Sequence, residues 1–216
     1  MKIVLFGATG NVGQRIAKEA LSRGHTVVGV VRDPDKVTSP DPRVKLVQGD
    51  ATDAGSVAKV ARGADAIVSA ISPRPNARGR AAPSLAAASR ALIAGAKQSR
   101  VKRVVAVGGA GSLEIAPGKL LMHAPGFPEA YKAEAQEGYD SLQVFRSEGK
   151  EVDWTLVSPA AEIEPGERTG KFRQTIDQFL ADVSGRSRIS FEDFAVAIVD
   201  ELEKREHVGR RFGVAY

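Results

Sequence analysis

Seven residues near the amino terminus, Gly7-Ala8-Thr9-Gly10-Asn11-Val12-Gly13, constrain this chain more than any other feature. They stand between an apolar run of strand length, 2–6, and an amphipathic stretch, 12–23. In that stretch Val12, Ile16, Ala20 and Leu21 recur at helical spacing before Gly24. A turn from strand to helix here brings backbone N–H groups and the positive end of the helix dipole to one place, which suits an anion. Glycine permits the dihedrals of the turn, and a glycine on the first helical turn lets a pyrophosphate and the neighbouring strand approach closely. The spacing is GxxGxxG rather than GxGxxG. Glycines also serve ordinary turns, so the flanking strand and helix carry this reading more than the triplet does.

The same alternation continues along the chain. Strand-length apolar runs at 26–31, 44–47, 65–70, 103–107, 152–157 and 211–215 are separated by helical patterns at 53–61, 84–97, 129–147 and 190–206. Ser190-Phe191-Glu192-Asp193 reads as the capping start of the last helix, with Phe194, Ala197, Ile198 and Leu202 as its apolar stripe. Trp154 reads as strand core packing, and 168–172 as a short edge strand. The expected fold is α/β, a single-domain Rossmann-type doubly wound parallel sheet flanked by helices over 1–216, with 109–216 completing the substrate side. The segment 72–83, with three prolines, one glycine and three arginines, reads as a mobile lid.

The chain has no cysteine, which excludes disulfides, thiolate metal sites and a cysteine nucleophile. His25, His123 and His207 show no metal-ligand spacing, so no metal is expected. The apolar start meets Gly7 too soon for a signal-peptide core or a membrane span, so a cytoplasmic protein with no membrane partner is expected. A net charge of +5 suits anionic cofactors and substrates as well as nucleic acid, and no nucleic-acid partner is expected. No acidic residue occurs from Ala66 to Leu113, where Arg74, Arg78, Arg80, Arg90, Lys97, Arg100, Lys102 and Arg103 fall. That run reads first as a solvated helix face plus a loop, and second as an electropositive rim over a phosphate-bearing ligand.

The second strand ends Val30-Val31-Arg32-Asp33, where this fold places the adenosine ribose. An acid there would accept from a ribose 2′-hydroxyl, whereas Arg32 can pair with a 2′-phosphate, which argues for NADP(H) with NAD(H) still possible. Pro34 suggests that Asp33 starts a turn instead of serving as the acid of an NAD site, and Lys36 is either a second phosphate partner or a surface lysine. Asp50, after the third strand, could accept from the adenine amino group or form an N-cap or Asx turn; Asp53 already fits the cap, which favours the cofactor role. Ala70-Ile71-Ser72 ends the fourth strand beside the same crevice.

The residues Gly7 to Gly13, Val31-Arg32-Asp33, Gly49-Asp50, Gly108 to Leu113, Asp153 to Pro159, Glu164 to Gly170 and Ser187 to Leu202 resemble the atypical short-chain dehydrogenase/reductases. The resemblance is to the NADH-flavin reductase-like group and, more distantly, to biliverdin-IX-beta reductase. It implies that the glycine loop (Gly7, Ala8, Thr9, Gly10, Asn11, Val12, Gly13) and Arg32 hold NADP phosphates, and Asp50 and Ala51 the adenine. Ala70, Ile71 and Ser72 would hold the sugar next to the nicotinamide, with Gly108, Gly109, Ser158 and Pro159 bordering the ring. The short-chain Tyr-xxx-Lys pair is missing, because Tyr131 is followed four places later by Ala135 and Tyr139 by Gln143. Where biliverdin-IX-beta reductase has a serine after the fifth strand this chain has Gly109, with Ser112 nearby.

Reducing an unactivated carbonyl calls for a general acid at the developing alkoxide. A flavin takes hydride at ring nitrogen and can acquire its proton from solvent. The sequence therefore points to an NADPH-preferring reductase, a monomer or homodimer, acting on a small-molecule hydride acceptor. That acceptor is a flavin used as substrate rather than held as a prosthetic group, or a quinone or dye. Ser112, His123 and Tyr131 are the candidate proton donors. A non-catalytic NADP(H) sensor is the rival reading, and a nucleotide-sugar epimerase or dehydratase the third.

Overall fold

Successive side chains of a strand point to opposite faces, and the first strand, β1 (Lys2–Phe6), builds two cores at once. Ile3 and Leu5 enter one core, Val4 and Phe6 the other, and all four are at most 2% exposed. The computed structural model describes residues 1–37, 41–74 and 84–216. After β1 come α1 (Asn11–Ser22), β2 (Thr26–Val31), β3 (Lys45–Gln48), α2 (Ala54–Ala61), β4 (Ala66–Ser69) and α3 (Leu85–Ser99). Then follow β5 (Arg103–Val107), the small hairpin β6 (Glu114–Ala116) and β7 (Lys119–Leu120), α4 (Lys132–Glu148), β8 (Asp153–Ser158) and β9 (Glu162–Glu164). The chain ends with β10 (Arg173–Thr175), β11 (Arg188–Ser190), α5 (Phe191–Lys204) and β12 (Arg210–Ala215).

The central sheet runs β10-β12-β8-β5-β4-β1-β2-β3 and is parallel except for β10, which pairs antiparallel with β12. The expected Rossmann-type doubly wound fold is therefore the observed one. One face joins Ile3, Leu5, Val68, Val105 and Val157 to Ile16 and Ala20 of α1 and Phe194, Ile198 and Leu202 of α5. The other joins Val4, Phe6, Ile67, Val104 and Leu156 to Val57 of α2, Leu92 of α3, and Leu142 and Phe145 of α4. Trp154 belongs to this second core, its ring stacked 5.5 Å from that of Phe145, as the strand pattern predicts.

The step from β4 to β5 and the step from β8 to β12 move in the same direction across the sheet, yet α3 and α5 lie on opposite faces. The last crossover therefore has the opposite hand to the others, against a strong general preference. It is no simple strand-helix-strand unit: the chain from 159 to 190 first lays down the parallel pair β9 and β11 and the edge strand β10. The edge strand begins at Arg173, not at 168 as the sequence suggested. Thr169 Oγ1 and the Gly170 N–H both donate to the buried Asp193 carboxylate, which takes that stretch out of any ladder. Asp193 also accepts from the Tyr216 hydroxyl, while Ser190 Oγ caps α5 by accepting the Asp193 N–H at 2.9 Å.

The basic run from Ala66 to Leu113 is answered largely by α4 and the turn after it. Arg90 pairs with Glu148 at 2.9 Å, Lys97 with Glu151 at 2.5 Å, and Glu137 accepts the Leu85 N–H at the start of α3. These residues fix two helices side by side, so the solvated-face reading holds for them. The expected lid falls mostly at 75–83, outside the described residues. Arg103 differs, because it turns into the protein and donates to Glu201 Oε1 at 2.6 Å and to Thr155 Oγ1 at 2.8 Å. Burial pushes its guanidinium below the ordinary value while Glu201 opposes the shift. Removing one partner of a buried pair leaves an uncompensated charge, so Arg103→Met should cost about 3–5 kcal/mol in urea unfolding. Because Glu201 also accepts from Thr155 and His207, a double-mutant cycle with Glu201→Gln isolates the pair, and a coupling energy near zero would contradict the pairing.

Candidate functional site

The two strands at the centre of the sheet place the glycine loop. β1 pairs with β2 on one side and β4 on the other, so the order reverses at β1 and a crevice opens at the carboxyl ends of β1 and β4. Gly7 leaves β1 with φ +79°, and a Cβ there would lie 2.5 Å from the Ala70 carbonyl oxygen at the end of β4. A Cβ on Gly13 would lie 2.1 Å from the Gly7 carbonyl oxygen. Both glycines are therefore demanded by packing within the chain. Ala8, almost wholly buried, reaches its place because Gly29 in β2 has no side chain; a Cβ there would stand 2.9 Å from the Ala8 Cβ.

Gly10 is different. Its φ is −78°, its N–H donates to the Gly7 carbonyl at 3.0 Å, and an added Cβ would meet nothing nearer than 3.4 Å. It is the N-cap of α1 yet has no side chain to accept from the helix, and the first turn contains no acid. The first-turn N–H groups and the helix dipole thus face outward over a bare surface at the crevice, the arrangement that receives a phosphate. Gln14 Nε2 donates to the Thr9 carbonyl at 2.8 Å and holds the loop in shape.

At the end of β2 the Arg32 side chain is exposed, and among the described residues it takes no ion-pair partner. Its own carbonyl accepts from Gln48 Nε2, which ties the end of β2 to β3. Asp33 opens the 3₁₀ turn Pro34–Lys36 and pairs with Lys36 at 2.6 Å, so it serves the turn, and Lys36 is already engaged. Asp50 Oδ1 accepts both the Thr52 N–H at 2.8 Å and the Thr52 hydroxyl at 2.7 Å, an Asx turn. These bonds, with a smaller contribution from Arg32, hold the carboxyl below its usual value. One oxygen of Asp50 is committed to that turn, and Asp53 caps α2 by accepting the Ser56 N–H. The structure thus joins Arg32 and Asp50 at the β2 and β3 ends, next to the glycine loop.

On the other flank, Gly108 at the end of β5 donates its N–H to the Val157 carbonyl at 2.8 Å. A Cβ on Gly108 would lie 2.1 Å from Leu156 Cδ2 and 3.2 Å from Ser158 Oγ, whereas one on Gly109 would meet nothing within 4 Å. Ser158 is fully buried, and its hydroxyl has no hydrogen-bond partner among the described residues. A buried orphan hydroxyl is costly unless something completes it. The open loop at Gly10, the exposed Arg32 and the unmatched Ser158 hydroxyl leave room and hydrogen-bonding capacity for a dinucleotide in the crevice.

The three candidate proton donors do not converge. Ser112 is buried and accepts from Arg211 Nη1 at 3.0 Å, while the same nitrogen donates to the Ser112 carbonyl at 2.7 Å. Arg211 is buried in β12 and also holds Asp177 through its Nε at 3.0 Å, so Ser112 is part of a structural clamp, its own hydroxyl directed to the Gly109 carbonyl at 3.4 Å. Tyr131 is 51% exposed and lies under the Arg74 guanidinium, 5.6 Å from the ring centroid, with Arg74 paired to Glu134 at 2.6 Å. His123 is exposed in an open pocket beyond the 3₁₀ turn Leu121–His123. The clamp escaped the sequence reading, which placed Arg211 only at the start of the final strand.

The sequence profile of the NAD(P)H-binding family matches residues 7–205. The chain belongs to this NAD(P)H-binding family. Solved structures of similar proteins agree. A Burkholderia pseudomallei protein proposed to be exported is 42% identical with a TM-score of 0.90, each chain covered in full. A Bacteroides thetaiotaomicron protein proposed to be an epimerase is 39% identical with a TM-score of 0.87, over 100% of this chain and 96% of that one. A Streptococcus pneumoniae protein proposed to be an NADH-flavin reductase is 31% identical with a TM-score of 0.80, over 100% and 99%. Among the described residues no helix of this family member is long and apolar enough to cross a membrane, and no cluster of metal-ligating side chains occurs.

The two glycines make separable predictions. Gly10→Ala should leave the thermal midpoint nearly unchanged while weakening NADPH binding in a fluorescence titration, since its Cβ occupies only the space over the helix N-terminus. Gly13→Ala forces a side chain against the loop backbone and should destabilise the fold by about 1–3 kcal/mol or more, a drop of several degrees. Equal loss of stability in both variants would remove the distinction.

Proposed function

We propose that this chain is an NADPH-preferring oxidoreductase that passes hydride to a flavin or a similarly accepting ring such as a quinone or dye. The observation that carries the reading is the pairing of a bare α1 N-terminus with an exposed arginine at the end of β2, while Ser112 after β5 is held by Arg211. When bound, the reduced nicotinamide supplies hydride, so that NADPH, acceptor and one proton give NADP⁺ and reduced acceptor. The chain's own part is placement. The α1 N-terminus holds the pyrophosphate, Arg32 pairs with the 2′-phosphate, and the Ser158 hydroxyl steadies the carboxamide. With Ser112 locked by Arg211, the proton comes from water, which suits an acceptor that needs no directed acid.

The epimerase reading, suggested by what the Bacteroides relative is proposed to be, is disfavoured by α4. The position four residues after Tyr131 is the buried Ala135, packed where a Cβ on Gly111 would stand 2.5 Å away. No ammonium can assist a tyrosine from that position.

Steady-state NADPH oxidation against flavins, quinones, azo dyes and carbonyl compounds tests the proposal, with turnover expected for the first three classes. Tight NADPH binding with no acceptor exceeding the protein-free rate would make the chain a dinucleotide sensor instead. Arg32→Ala should lower the preference for NADPH over NADH by about 1.5–3 kcal/mol, roughly tenfold to a hundredfold. An unchanged ratio would remove the assignment of the 2′-phosphate to Arg32.

A further inference from the structure

Hydride that reaches an acceptor ring ahead of a proton leaves the ring an anion. A C–H bond of the reduced nicotinamide breaks, an N–H bond forms on a flavin ring, and both electrons stay there until a solvent proton neutralises the charge. A cation facing the ring lowers the energy of that state. Arginine suits this part, because it keeps its charge across the working pH range and its flat guanidinium can stack on a ring.

Arg74 stands where such a cation is needed. The Ala70 carbonyl at the end of β4 lies against the Gly7 turn, and four residues of chain reach no further than about 14 Å beyond it. Ser72 Oγ accepts the Arg74 N–H at 3.1 Å, a turn that shortens this reach. β5 is the neighbour of β4, and α4 stands over its end: a Cβ on Gly138 would lie 3.6 Å from the Gly109 nitrogen, and Ala135 packs against Gly111. Glu134 belongs to the first turn of α4, and Tyr131 ends the 3₁₀ turn before it. By contacting both, Arg74 spans the ends of β4 and β5, the two strand ends assigned to the nicotinamide.

The two contacts use different parts of the guanidinium. Glu134 Oε2 accepts from Nε, on the edge of the plane, at 2.6 Å. The Tyr131 ring lies to one face, its centroid 5.6 Å from Cζ. More than half of the Arg74 side chain remains exposed, which leaves the other face for a ring entering the crevice. Glu134 is a third exposed, and an ion pair open to water is worth little, so it holds the plane while leaving the cation able to act on a ring packed against it.

We propose that Arg74 is a catalytic residue of the hydride transfer: the acceptor ring stacks on its outer face, and the guanidinium stabilises the negative charge that hydride brings. Tyr131 and Glu134 are positioning residues that hold the guanidinium from behind. The inference deepens the reductase reading and rests on it. The acceptors it favours are planar rings that can carry the added charge.

Oxidised riboflavin is neutral and reduced riboflavin is an anion in mildly alkaline buffer, so the two forms isolate the charge on one ring system. In anaerobic calorimetry with NADP⁺-loaded protein, the reduced form should bind about two- to fivefold more tightly than the oxidised form, as expected for an exposed charge contact. Arg74→Gln should abolish that difference, Arg74→Lys should keep it, and Glu134→Gln, which removes the opposing charge, should widen it. In steady state Arg74→Gln should lower kcat with riboflavin about tenfold, with the dissociation constant of NADPH unchanged. The same NADPH titration reports that each variant has folded. Equal binding of the two redox forms by the native protein, or a difference untouched by Arg74→Gln, would overturn the inference. A loss of NADPH affinity in step with kcat would assign Arg74 to the cofactor and overturn it as well. Absence of turnover in the native protein would defeat the reductase reading and leave the two binding constants to judge Arg74.

Discussion

Because β1 hydrogen-bonds to β2 on one side and to β4 on the other, the chain leaving β1 and the chain leaving β4 turn to opposite faces of the sheet. The gap between them at the carboxyl edge follows from connectivity and strand twist, before any ligand chemistry is considered. The loop that crosses this gap must bring three segments within contact distance: the Gly7 turn, the first turn of α1 and the Ala70 carbonyl. Only positions without a Cβ tolerate that approach, which is why Gly7 and Gly13 serve the fold whereas Gly10 serves the space above the helix. The N–H groups exposed there need a partner, and an anion satisfies them more completely than water held at random.

A second constraint acts from the far edge of the sheet. β12 contributes Arg211, whose guanidinium reaches both Ser112 and Asp177 from a buried position. One side chain thereby ties the segment after β5 to the segment after β10, and the opposite-handed return of the chain to the α1 face delivers β12 to that place. Ser112, one of the three candidate proton donors, is thereby held by the scaffold.

Charge follows the same division between scaffold and site. Basic side chains of α3 meet acids of α4 and the turn after it, and Arg103 meets Glu201 inside the protein. The acid-free run in the sequence is thus compensated across the helix pair in its described part. At the crevice, the exposed Arg32 takes no ion-pair partner among the described residues.

Periodicity and glycine placement determined the fold class, the main strands and helices, the glycine loop and the role of Trp154, because each depends on local dihedrals or on one face of one element. The capping start at Ser190 was legible for the same reason, although its Asp193 turned to Thr169, Gly170 and Tyr216. The edge strand at 173–175, the small strand pairs and the Asx turn at Asp50 were not fixed by local pattern, since short segments take their state from whichever partner arrives. That Ser112 is held by a guanidinium from ninety-nine residues further along the chain could not be read from its surroundings in sequence. Likewise only the folded chain shows that Ser158 is buried with its hydroxyl unmatched and that Arg74 lies over the Tyr131 ring. Sequence spacing records what a residue can do; which groups remain available to a ligand is set by the contacts that tertiary packing completes first.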